Sequence, residues 1–183
     1  MNKRFRANVE KNLFRIPIFL DKEASDWLYS LSISMKLNGG YKLPKSYIIR
    51  SLINAFIKLD INFKKIKTEA ELQQRILNRL IALPEELRPK MNPLKNGGNN
   101  NLLVANIRMN KNQINFIDKI AGEIRFSGGN KPSRSSILNV FIKIAMVIKY
   151  ESSGVKFEKD CEERFVQAFK NELSNATGVK TFV

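Results

Sequence analysis

"GGNKPSRSS" occupies residues 128–136, and "GGYKLPKSY" occupies residues 39–47. Both stretches carry a glycine pair, a lysine, a proline and a basic residue beside serine, and they lie 89 positions apart. Sliding the whole chain by that distance, without a gap, brings further matches into line. Asn12-Leu13 falls on Asn101-Leu102, Ile18 on Ile107, Lys22 on Lys111, Ser46 on Ser135, and Ile48 on Ile137. Lys67, Glu69 and Arg75 fall on Lys156, Glu158 and Arg164. Trp27, Leu31 and Leu52 meet Phe116, Ile120 and Phe141, so the apolar phase is kept as well as the identities. An ungapped register of this kind marks an internal duplication.

Each copy opens with alternation. Phe14, Ile16, Ile18 and Leu20 share one phase, with Arg15, Pro17 and Phe19 between them. Leu103, Ala105, Ile107 and Met109 share it in the second copy, with Val104, Asn106 and Arg108 between. Period two predicts a half-buried strand. Asp21 and Asn110 then stand where a helix N-cap is needed. Apolar residues recur at helical spacing behind them: Ala24, Trp27, Leu28, Leu31 and Met35, then Ile114, Ile117, Ile120, Ala121 and Ile124. The glycine pairs end these helices, because a C-terminal cap favours a residue that tolerates positive φ.

A second helix is predicted over about 44–59 and 133–149, with Ser133 as N-cap and Pro44 in the matching place. A third begins in copy one at Thr68 and Glu71, the two ends of a capping box. Its counterpart is "FEKDCEERFVQAFKNEL" at 157–173. The organisation expected is a basic arm (1–12), repeat one (13–83), a linker (84–101), repeat two (102–175) and a tail (176–183). The two repeats make one domain. The fold class is mainly α, with one short two-stranded antiparallel ribbon.

The composition narrows the function. Lys plus Arg number 32 against 17 Asp plus Glu, a formal net charge of +15 over 183 residues. Such an excess points to a polyanion. There is no histidine and a single cysteine, Cys161. A His-based triad, an internal disulfide and a multi-Cys zinc site are therefore excluded. No apolar run is long enough to span a bilayer, and the N-terminal stretch lacks a signal-peptide core. The expectation is a cytoplasmic non-enzyme with no metal, no cofactor and no membrane partner.

One strand per repeat cannot stand alone, because its backbone groups need a partner. Strand 14–20 is expected to pair with 103–109, leaving Arg15, Pro17, Phe19, Val104, Asn106 and Arg108 on the outer face. A two-stranded ribbon fits the major groove of B-DNA.

"IRMNKNQINFIDKIAGEIRFSGGNKPSRSSILNVFIKIA" at 107–145 resembles the ribbon-helix-helix family of DNA-binding proteins, the Arc, MetJ and CopG type. "IPIFLDKEASDWLYSLSISMKLNGGYKLPKSYIIRSLINAF" at 16–56 resembles it more loosely. Most members build the fold from two chains; the duplication here is similar to single-chain double forms linked to conjugative or T-DNA transfer. The resemblance covers roughly 13–60 and 102–149 and implies a tandem pseudo-twofold ribbon-helix-helix, to which the extra third helix of each repeat is an addition without such a resemblance. It implies a chain that binds double-stranded DNA as a monomeric pseudo-dimer or a homodimer, in repression, plasmid transfer or partition. The six outer residues would then touch bases, Asn106 pairing with adenine and Arg108 with guanine. Lys42, Lys45, Ser46, Lys131, Ser133, Arg134 and Ser135 would grip phosphates, and Lys3, Arg4 and Arg6 would form an arm on DNA. Pro17 and Phe19 depart from the family, which places polar readers there. The competing expectation is a protein-interaction or antitoxin-like adaptor using the third helices.

Overall fold

A computed structural model describes residues 13–80 and 102–177, with side chains to 172. Among the described residues the order is β1 (Phe14–Leu20), α1 (Lys22–Leu37), α2 (Lys45–Ile57), α3 (Glu69–Leu80), β2 (Leu103–Met109), α4 (Lys111–Phe126), α5 (Arg134–Val147) and α6 (Glu158–Thr177). The molecule is mainly helical, with one two-stranded antiparallel sheet. The arm and the linker lie outside the described residues.

The strands pair within one chain, Arg15 opposite Arg108, Pro17 opposite Asn106, and Phe19 opposite Val104. Ile16, Ile18, Leu20, Ile107 and Met109 face the helices and are buried. The expected inward phase stops short at the strand starts, where Phe14 and Leu103 are exposed. Each lies at a ribbon end, with no residue before it on its own strand to extend the cover.

The caps follow the local chemistry. The Asp21 carboxylate accepts from the Ala24 N–H at 2.7 Å. Asn110 and Gln113 form a reciprocal capping box at the start of α4. Ser133 caps α5 by accepting from the Ser136 N–H at 3.0 Å. Pro44 sits at the N-cap of α2, one place before the first helical residue, and supplies no side-chain bond. At α3 the box is displaced. Thr68 accepts from the Glu71 N–H, but Glu71 reaches back to the N–H of Lys67.

The glycine pairs divide two tasks. Gly39 and Gly128 have φ of +80° and +87°, the left-handed turn that closes the helix. Gly40 and Gly129 complete the cap by donating to the Met35 and Ile124 carbonyls at 2.9 and 3.0 Å, and they also allow close approach. A Cβ on Gly40 would stand 2.0 Å from the carbonyl oxygen of Val155, and one on Gly129 would stand 1.9 Å from that of Lys67. Each second glycine thus seats the loop that leads into the third helix of the other repeat.

The third helices cross over as well. α6 lies along α2, and α3 packs against α5. At the centre, Phe56 of α2 stacks on Phe141 of α5 with centroids 4.2 Å apart, and Phe169 of α6 covers Phe56 at 4.9 Å. All three are at most 1% exposed, and each contributes roughly 1.5–3 kcal/mol through burial. Trp27 and Phe116 pack on this core at its margin. No described helix is long and apolar enough to cross a membrane.

Candidate nucleic-acid interface

The two strands have opposite sides with opposite character. Arg15, Pro17, Phe19, Val104, Asn106 and Arg108 are all exposed, so the whole outward set emerges on one surface. The pairing register decides how they are arranged. Both arginines share one rung, Pro17 and Asn106 share the next on that face, and Phe19 and Val104 share the last. The face is therefore cationic at one end, polar in the middle and apolar at the other. Like charges on one rung cost free energy in an isolated ribbon; a bound anion across the rung offsets that cost.

Four side chains from the second helices hold the ribbon or its neighbours in place. Ser135 accepts from the backbone N–H of Phe19 at 3.0 Å, and Asn139 donates to the Phe19 carbonyl at 3.0 Å. Arg50 donates to the Arg108 carbonyl at 3.0 Å. Arg50 and Asn139 occupy the same place in the two repeats, and so do Phe19 and Arg108. Arg50 is 7% exposed. Its charge is compensated by Glu158 of α6, through Nε at 2.7 Å and a second bond from Nη2. Its guanidinium lies 4.5 Å from the ring centre of Tyr47. The hydroxyl of Ser51, one residue on, donates to the Glu158 carbonyl at 2.8 Å. Neither Arg50 nor Asn139 stood out in the sequence, although each is a polar residue inside an apolar helix.

The residues assigned to phosphate contact meet different fates. Lys131 is exposed in the loop before α5. Lys42 is exposed and lies over the Tyr29 ring at 5.2 Å. Ser46 is half-buried at the start of α2. Lys45 bonds the Ser25 hydroxyl at 2.7 Å. Arg134 makes a two-pronged pair with Asp118 at 2.8 and 2.7 Å. That bond, with the guanidinium charge, holds the Asp118 carboxyl below its ordinary range. The Ser133 hydroxyl caps α5, and the Ser135 hydroxyl accepts from the Phe19 N–H of β1. At the start of α2, which lacks a side-chain cap, the Tyr47 N–H donates to the Pro44 carbonyl at 2.9 Å instead. Lys3, Arg4 and Arg6 lie outside the described residues.

Cys161 is buried, and burial pushes its thiol up to about 11. Among the described residues no carboxylate or cysteine cluster could hold a metal ion. No protein-family model, curated protein or solved structure matches this chain.

Proposed function

We propose that the chain is a non-catalytic, sequence-preferring DNA-binding protein whose ribbon enters the major groove of a duplex. The observation that carries this reading is the ribbon's solvent face, where two arginines and an asparagine stand exposed beside a short apolar end. Arginine can engage guanine O6 and N7, asparagine adenine N6 and N7, and apolar groups the thymine methyl. The net charge of +15 supports a polyanionic partner. The repeats are best read as a tandem pseudo-twofold ribbon-helix-helix. Exchanging the halves leaves the strand register unchanged, with the Pro17–Asn106 rung at its centre. In the cell such a protein would act as a repressor, or as an accessory factor for plasmid transfer or partition.

The register also predicts the shape of the target. With both arginines at one end of the ribbon and Phe19 with Val104 at the other, the site should not be palindromic. Guanine is expected at one end and a thymine-containing step at the other. Selection from a random duplex pool, followed by footprinting, tests this. A lopsided motif is expected. Arg108→Ala should lose discrimination at the guanine end, about 1–3 kcal/mol, while Lys131→Ala should weaken every duplex alike. Equal binding of all duplexes by the unaltered protein, or a symmetric motif, counts against it. The second reading is a protein-interaction or antitoxin-like adaptor using the third helices, whose buried residues pack against α2 and α5; a mass above monomer in gel filtration, with no duplex bound at moderate salt, would favour it.

A further inference from the structure

A cavity of about 860 Å³ opens where the loop before α3 meets the C-terminal end of α4. Lys64, Lys65 and Lys67 line it from the loop, and Lys119, Glu123 and Phe126 line it from α4. The size falls within the range of small-ligand sites. Phe126 is 91% exposed, an unusual position for a ring. Among the described residues, four lysines against one glutamate give the walls a positive excess.

The corresponding place in the other half is tied shut. There the Asn38 side chain donates to Ser152 at 2.7 Å, and the Gly154 N–H donates to the Asn38 carbonyl at 3.0 Å. Tyr41 and Phe157 meet edge to face beside it. Repeat one cannot copy that tie, because Phe63 stands where repeat two has Ser152, and Phe63 turns inward against Phe116. Lys64 and Lys65 replace Ser153 and Gly154. The glycine seat is thus common to both halves, while the Asn38–Ser152 tie is present in one and the other has an open, cationic, aromatic-edged pocket.

We propose that this pocket binds a nucleotide, with the phosphate held by the lysines and the base stacked on Phe126. The same chemistry serves a free mononucleotide or one unpaired residue of a strand. The site is separate from the outward ribbon face, so its occupancy does not depend on duplex reading.

The test is a calorimetric and NMR titration of the full chain with adenosine 5′-monophosphate, with inorganic phosphate, and with a short single-stranded oligothymidine. Saturable binding of the mononucleotide or the oligomer is expected. Phe126→Ala should weaken it about tenfold or more, since base–aromatic stacking is worth that much. Lys65→Gln with Lys67→Gln should weaken it and flatten its salt dependence. Whichever of the two ligands binds better identifies the source. These side chains are exposed, and circular dichroism of each variant checks the fold. Binding unchanged in Phe126→Ala, phosphate binding as tightly as the nucleotide, or no saturable binding of either nucleotide probe overturns the proposal. Arg15→Ala should leave the pocket titration unchanged; a loss there would also sink it.

Discussion

The two repeats place a polar side chain at the same point of their second helices and give it the same task. Arg50 and Asn139 each bond a carbonyl in the strand of the opposite repeat. The means differ. Asn139 is neutral, shares the work with Ser135, and leaves its own Oδ1 buried without a hydrogen-bond partner. Arg50 brings a charge into the protein, and that charge demands Glu158. A buried ion pair is weak evidence for stability but a strong constraint on geometry. Repeat one thus ties α6 to the strand that carries Arg108, whereas repeat two ties only its own helix to the strand that carries Phe19. Duplicated backbones repeat a requirement, and the side chains that meet it are free to diverge.

Breaking the charged version should be the most costly. Glu158→Ala strands Arg50 and is expected to destabilise by about 3 kcal/mol, the low end for a broken buried pair because Glu158 keeps some solvent contact. Glu69→Ala, at the matching place in repeat one, should cost only about 0.5 kcal/mol as a first-turn acid. Urea denaturation compares the two, and equal losses would erase the contrast. A feature the repeats share should behave alike in both. Gly40→Ala and Gly129→Ala each force a carbonyl aside, at roughly 2 kcal/mol; a cost at one site alone would show that the joints are not equivalent.

Asn139→Ala should cost about 1 kcal/mol, the loss of one hydrogen bond to the Phe19 carbonyl. It is expected to cost less than Glu158→Ala, measured in the same denaturation series. An effect as small as that of Glu69→Ala belongs to Arg134 and Asp118, since both side chains are roughly two-fifths exposed. The Asp118 carboxyl is held below its ordinary 3.8 in the folded protein. Its contribution is therefore fully present above that value and is lost as the pH falls through the lowered one. Solvent screening limits it to about 0.5 kcal/mol. Asp118→Asn should remove this acid-side slope and leave stability near neutrality almost unchanged. Repeat one carries Tyr29 and Lys45 in those places, and no such slope is expected from it.

Much of this architecture was legible in the residues themselves. The alternation of Ile16, Ile18 and Leu20 against Arg15, Pro17 and Phe19 named the two faces of the strand, because neighbouring side chains on a strand point opposite ways. Asp21, Asn110 and Ser133 announced helix starts, because a cap depends on atoms three residues away. The 89-residue repeat required that two strands find each other. These are local or periodic signals, and they survive without knowledge of what lies across the molecule.

What lies across the molecule was decided by tertiary packing. Nothing in the string shows that α6 covers α2 while α3 covers α5, or that Arg15 and Arg108 meet on one rung. Ser135 and Arg134 read as phosphate ligands from the string, which did not show that the fold also brings the Phe19 N–H and Asp118 within reach of them. The second glycine of each pair read as part of a cap, and its N–H does close the helix; what the string did not show is that it also seats a carbonyl from the other repeat. The physical reason is common to all of these. A hydrogen bond or a close contact between residues a hundred positions apart depends on how amphipathic faces are shared out among helices, and periodicity names the faces without naming their partners.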